Sequence, residues 1–161
     1  MKMPLEMLLT IGGVPIFQGW GGKYIVFISN LDICNDGTGP SHNDPSYQSQ
    51  TAYNPYLNAD EDRYLVTPPQ VRMDIGPVVL GCLGRVTNLL APHKRSWGVV
   101  GDVGPSDKTG ECSYCLAKVL NPKITHNTGD GNLIYLYEFW PDTPAVFETV
   151  DGIQEYKLQP A

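Results

Sequence analysis

Apolar residues in this chain fall in short runs rich in β-branched and aromatic side chains, each closed by glycine, proline, asparagine or aspartate. That rhythm predicts strands joined by turns. The runs are Gly22–Ser29 (GKYIVFIS), Arg63–Thr67 (RYLVT, stopped by Pro68-Pro69), Gly76–Leu83 (GPVVLGCL, followed by Gly84-Arg85-Val86), Trp97–Val103 (WGVVGDV) and Asn132–Trp140 (NLIYLYEFW). Phe147–Leu158 reads as a closing hairpin about Asp151-Gly152. One segment carries helical spacing. In Gly110–Leu120, Cys112, Cys115, Leu116, Val119 and Leu120 recur at three- and four-residue steps, and Asn121-Pro122 ends the pattern, so a helix is expected there with Glu111 in its first turn. Between the first two strands, residues 32–62 are rich in Asn, Asp, Ser, Gly, Pro and Tyr. An irregular stretch of that length in a small domain usually lines a cleft. Several strands around a single helix predict a mainly β fold, a small barrel or sandwich with the helix packed on it.

Composition narrows this picture. A chain of 161 residues fits one domain, and its 17 Gly and 14 Pro agree with many turns. The formal charge of −6 argues against a nucleic-acid surface and is compatible with a cationic partner. The start, MKMPLEMLLTIGGVPIF, is interrupted by Pro4 and Glu6 and has no small-residue cleavage site, so it does not read as a secretory signal. No apolar run reaches the roughly 20 residues that span a bilayer, and the chain is expected to be soluble and to work without a membrane.

Cys112 and Cys115 form a CxxC, but Cys34 and Cys82 stand alone and no βαβ context surrounds the pair, so all four are expected to be small packing residues. His42, His93 and His126 lack any HxH or HxxxH spacing, which gives a metal site little support. Asp32-x-x-x-Asp36-Gly37 faintly echoes a calcium loop. Its third position is Cys34 and its twelfth is Asn43, so it fails that pattern.

The densest chemical signal is Gly101-Asp102-Val103-Gly104-Pro105, a short spacer, then Gly110-Glu111. An apolar strand delivers Asp102, a Gly-Pro turn redirects the chain, and Glu111 follows on the next rigid element. Glycosidic cleavage needs such a pair, one carboxylic acid to protonate the leaving oxygen and one carboxylate to activate water or attack directly. A turn-forming Asp and a dipole-favoured Glu would produce the same letters.

Read as a block, GDVGPSDKTGECSYCLAK resembles glycoside hydrolase family 75, the chitosanases known mainly from fungi, whose pattern runs roughly GDTGP, a spacer, then GEASYALAK. Both acids stand at the family's separation. Leu31-Asp32-Ile33-Cys34-Asn35-Asp36-Gly37, Asp44-Pro45, Gln48-Ser49-Gln50-Thr51, Leu57-Asn58-Ala59 and Thr128-Gly129-Asp130-Gly131 are further counterparts, so the likeness covers about residues 24–139 of what is expected to be a single domain. The chain departs from the family at Cys112 and Cys115, where alanines are usual, and is not expected to carry the long secreted N-terminus of fungal members.

The resemblance implies an inverting, endo-acting hydrolase of β-1,4-linked glucosamine polymer, with Glu111 as proton donor and Asp102 as the base on water, and no cofactor or metal. Candidate substrate contacts are Asp32, Asp36, Asp44, Gln50, Tyr53 and Trp97, with turn-forming the default reading of the acids and packing or loop anchoring that of the aromatic rings. The acids offer charge-assisted hydrogen bonds to ammonium groups, and the aromatic rings, like Tyr47 and Tyr56, offer faces for sugars. A monomer acting on an extracellular polymer is expected. The Asp-Gly-Pro, spacer, helix arrangement also resembles double-psi β-barrel proteins such as barwin, expansins and the rare lipoprotein A type of lytic transglycosylase. This makes a six-stranded double-psi barrel the expected fold, and leaves a peptidoglycan-active enzyme or a non-catalytic saccharide-binding or phage accessory module as alternatives.

Overall fold

The computed structural model describes residues 2–73, 80–150 and 153–157, excepting the side chains of 72–73, 147–150 and 153–157. The chain is mainly β. It opens with a hairpin, β1 (Glu6–Ile11) and β2 (Val14–Gly19), in a region where no strand is expected from the sequence. Gly12 and Gly13 make its two-residue turn with φ of +54° and +81°, the left-handed pair that matches the twist of antiparallel strands. The remaining elements are β3 (Tyr24–Cys34), β4 (Tyr64–Thr67), α1 (Pro69–Met73), β5 (Cys82–Asn88), β6 (Arg95–Val103), β7 (Glu111–Ser113), α2 (Tyr114–Leu120), β8 (Asp130–Pro144), β9 (Val146–Val150) and β10 (Ile153–Lys157).

Strands β3, β4, β6 and β8 fall where the apolar runs predict them, and β9 pairs with β10 as the expected hairpin; its turn lies outside the described residues. The run Gly76–Leu83 matches less well. Residues 76–79 are not described, and β5 starts at Cys82 and continues to Asn88.

Six strands close into a barrel in the order β3–β7–β4–β6–β5–β8 and back to β3. The β3–β7 and β4–β6 ladders are parallel, whereas β7–β4, β6–β5, β5–β8 and β8–β3 are antiparallel. One buried cluster draws side chains from all six strands and forms the barrel interior: Phe27 and Leu31, Cys112, Leu65, Val100, Val86, and Tyr137 with Phe139. Phe27 stacks on both Tyr137 and Phe139, at centroid distances of 5.2 and 5.7 Å. The phenol of Tyr137 would be costly to bury unpaired. It donates to the Asn30 carbonyl at 2.7 Å.

The helix is shorter than its spacing predicts. Glu111–Ser113 form a strand, and the helix begins only at Tyr114. Gly110 sits at φ +82°, where a Cβ would lie 2.5 Å from Ser29 Oγ, so the chain turns there too sharply to begin a helix. Residues 111–113 then fill the gap between β3 and β4, pairing with both, and a helix from 111 would leave those ladder groups orphaned. Cys112 is buried in the barrel interior, which is why it mimicked a helical core position. Leu116, Ala117 and Leu120 are the buried face of α2, and the Asn121 N–H closes it on the Ala117 carbonyl.

A second cluster, Cys34, Tyr64, Val66, Leu83 and Val99, lies on the outer wall and is capped by Leu57 and Ala59 of the 35–63 loop. The loop is tied to itself. Thr38 N–H donates to the Leu57 carbonyl at 2.9 Å, and the Tyr47 hydroxyl contacts the Gly37 and Gly39 carbonyls at 2.8 and 2.9 Å.

Leu116 is fully buried and belongs to the interior cluster that ties the helix to the barrel. Leu116→Ala is expected to lower stability by about 2–5 kcal/mol in urea denaturation, the range for emptying a well-packed leucine site.

Candidate functional site: an acidic cleft on the barrel wall

Four strands set the site in register. Asp32 on β3 pairs with Glu111 on β7, Glu111 pairs with Val66 on β4, and Val66 pairs with Asp102 on β6. Paired residues on adjacent strands share a face, so this row presents three carboxyls and one valine along a single line of the outer wall. All four line a cleft of about 700 Å³. Neighbouring strands stand about 4.8 Å apart, so the Asp102 and Glu111 backbones are separated by about 9 to 10 Å, with Val66 between them. Gly104 keeps the turn after β6 close over this row: a Cβ there would lie 3.0 Å from Val66 Cγ1 and 3.2 Å from Glu111 Oε2.

The two acids are solvated differently. Asp102 is 7% exposed, and its Oδ1 accepts the backbone N–H of Ala52 at 3.0 Å and of Val103 at 2.9 Å. Burial pushes its carboxyl up to about 6, the two amides work against the rise, and the charge of Asp36 adds to it. No donor among the described residues hydrogen-bonds Glu111. Burial, then the charges of Asp32, Asp36 and Asp102, push its carboxyl to about 7, with only Lys108 opposing. Hydrogen bonds to the charged form therefore make Asp102 the stronger acid of the two.

Of the residues singled out from the sequence, Asp32, Asp36, Asp44, Asp102 and Glu111 line the cleft together, while Gln50, Tyr53 and Trp97 do not. Gln50 is exposed on the loop. Tyr53 is 43% exposed and shields Gly81, where a Cβ would meet its ring at 2.8 Å. Trp97 packs against Trp140 at 5.3 Å beneath Arg85, whose guanidinium lies 4.7 Å from the indole and pairs with Glu138 at 2.8 Å. Gln48, two positions before Gln50, lines the cleft in its place and donates its backbone N–H to Asp36 at 2.7 Å. Val66, Lys108 and His126 also line it. Only the ladder register could have found Val66.

Asp44 is held in place from three sides. Although partial burial opposes it, Ser46 N–H and Oγ at 2.9 and 2.7 Å and Asn35 Nδ2 at 3.0 Å hold its carboxyl below the usual range. Asn35 Nδ2 also donates to the His126 carbonyl at 2.8 Å, joining the two loops at the rim.

Two clusters bring three metal-ligand atoms within 4.8 Å of one another, namely Cys34–Asp36–Asp102 and His42–Asp60–His126. In the first, burial pushes the Cys34 thiol well up, so it remains a protonated S–H rather than a thiolate ligand. In the second, His42 and His126 stack at 3.4 Å and each Nε2 meets one oxygen of Asp60 at 2.8 Å. The two stacked rings thus share the Asp60 carboxylate, one oxygen each. The spacing of these histidines gave no hint of the contact. It works as a clasp, with Tyr114 stacked at 3.5 Å on the far face of His126 and Asn127 Nδ2 donating to the His42 carbonyl at 2.9 Å.

The cysteines Cys34, Cys82 and Cys112 are buried and Cys115 is partly so. Among the described residues, no helix is long and apolar enough to cross a membrane. Comparison with known proteins returns no match, either to a family model or to a curated sequence.

Holding Glu111 near 7 when an unfolded glutamate sits near 4.5 means that the folded state binds this proton more tightly. Its contribution is favourable below about 4.5, declines as pH rises toward 7, and is lost above. Glu111→Gln is therefore expected to stabilise the protein at pH 8 by on the order of 1 to 3 kcal/mol and to leave it unchanged at pH 4, as read by urea denaturation at both pH values.

Proposed function

We propose that the protein is an endo-acting, inverting glycoside hydrolase of β-1,4-linked glucosamine polymer, as the resemblance to glycoside hydrolase family 75 implies. The observation that carries this reading is the row Asp32–Glu111–Val66–Asp102, which sets two differently solvated carboxyls two strands apart along an open cleft.

An inverting pair requires carboxyls about 6.5 to 9.5 Å apart, with room for a water on the far side of the sugar. Two interstrand spacings of about 4.8 Å put the two backbones about 9 to 10 Å apart, a span compatible with that range. Glu111, which lacks donors and is held protonated to about pH 7, is suited to give its proton to the glycosidic oxygen. Asp102, ionised above about pH 6 and fixed by two amides, is suited to take a proton from water. As the water oxygen bonds to the anomeric carbon, the carbon–oxygen bond of the leaving sugar breaks and that sugar leaves with the proton from Glu111. Solvent then restores both acids.

Substrate charge supports the same reading. Five carboxyl groups line the cleft, those of Asp32, Asp36, Asp44, Asp102 and Glu111, together with Lys108 among the described residues. A polymer carrying an ammonium on each sugar meets charge-assisted acceptors there, whereas peptidoglycan, which is not polycationic, would not.

Reducing-end release from soluble chitosan tests the proposal. Wild type is expected to be most active between about pH 6 and pH 7, where Asp102 is ionised and Glu111 protonated. Asp102→Asn and Glu111→Gln should each lower kcat by about 10²- to 10⁴-fold while remaining folded by circular dichroism. A wild type inactive on chitosan that instead releases fragments from peptidoglycan, or only binds polymer, would reassign the cleft.

A further inference from the structure

The acidic loop contributes Asp36 to a place that substrate binding does not explain. Its carboxyl lies with that of Asp102 and the Cys34 sulfur in a group whose ligand atoms are all within 4.8 Å of one another, so the two carboxyls face each other closely enough to share a proton after a small side-chain rotation. Both partners are anchored. Asp102 uses Oδ1 on two backbone amides, and Asp36 uses Oδ1 on the Gln48 N–H at 2.7 Å. The Tyr64 hydroxyl donates to the Asp36 carbonyl at 2.7 Å, fixing the backbone from β4. What remains of Asp102 is Oδ2, with the Cys34 sulfur 4.0 Å away.

We propose that Asp36 is a positioning residue for Asp102: its carboxylate accepts a hydrogen bond from the Asp102 carboxyl once Asp102 has taken a proton from water. One proton then lies between two carboxylates, and no other bond is made or broken. Asp36 thereby strengthens Asp102 as a base, because two carboxylates this close favour holding a proton in common over ionising together. The other titratable groups beside the pair are the Cys34 thiol, 4.0 Å from Asp102, Tyr64 from β4 and Glu111 from β7, while Asp32, Asp44, Lys108 and His126 line the same cleft. Burial holds the thiol and the Tyr64 phenol protonated, and Lys108 is a donor rather than an acceptor, so none of these replaces Asp36.

The catalytic meaning of this pair rests on the hydrolase reading, but its titration does not. Carbon-13 NMR of side-chain carboxyls in the unliganded protein should show the Asp102 carboxyl titrating in two steps. Asp36→Asn should collapse them to one step at lower pH, by at least half a unit. Asp36→Ala, which also removes the acceptor, should have the same effect on Asp102, which keeps the test valid if one variant fails to fold. An Asp102 titration curve that Asp36→Asn leaves unmoved would overturn the proposal. So would chitosan kinetics in which Asp36→Asn raises KM while the acid limb of kcat/KM stays in place, the mark of a residue that only holds substrate. A protein inactive on chitosan in which Asp36→Asn still shifts the Asp102 titration would overturn the hydrolase reading and retain the pair.

Discussion

The site depends on a strand of three residues. Glu111–Ser113 pairs in parallel with β3 and antiparallel with β4, and in doing so closes the barrel. Its register fixes the chemistry, since a shift of one residue would turn Glu111 into the apolar interior and Cys112 out to the cleft. The tight turn at Gly110 and the Asp32 N–H bond to the Gly110 carbonyl at 2.7 Å set that register before the strand begins.

The same packing that closes the barrel perturbs the acids. Val66 and the capping loop exclude water from one side of the row, and neighbouring carboxylates raise the cost of each further charge. Asp102 escapes part of that cost through the amides of Ala52 and Val103, and Glu111 does not. Two similar side chains on one wall are thereby pushed apart in acidity by one difference, access to backbone donors. Stability is sacrificed at neutral pH to hold Glu111 protonated, a conflict common where buried charge serves function.

Much of this was legible in the sequence, and the failures have physical causes. The strands β3, β4, β6 and β8 stand out because their apolar runs face the barrel interior on one side and the capped wall on the other. Glu111 was expected in a helix because Cys112 is buried from a strand yet sits four residues before Leu116, so a tertiary pairing imitated a helical period. The β1–β2 hairpin was missed although Gly12-Gly13 between apolar runs is a turn signal. The acids Asp32, Asp36, Asp44, Asp102 and Glu111 were found because carboxylates near glycine turns are conspicuous. Val66 and the His42–Asp60–His126 clasp were not, since their roles exist only through register and through the meeting of two loops distant in sequence, and the Gln48-Ser49-Gln50-Thr51 stretch did not say that Gln48 rather than Gln50 lines the cleft.

The central claim is that Asp102 and Glu111 act across a water rather than through a covalent sugar–enzyme bond. The most direct measurement is proton NMR of the anomeric signals during the first minutes of chitosan cleavage, before mutarotation equilibrates the product. Cleavage of β-linkages by this pair predicts that the new reducing end appears first as the α-anomer. An initial β-anomer would contradict the account and place a nucleophilic carboxylate within bonding distance of the sugar.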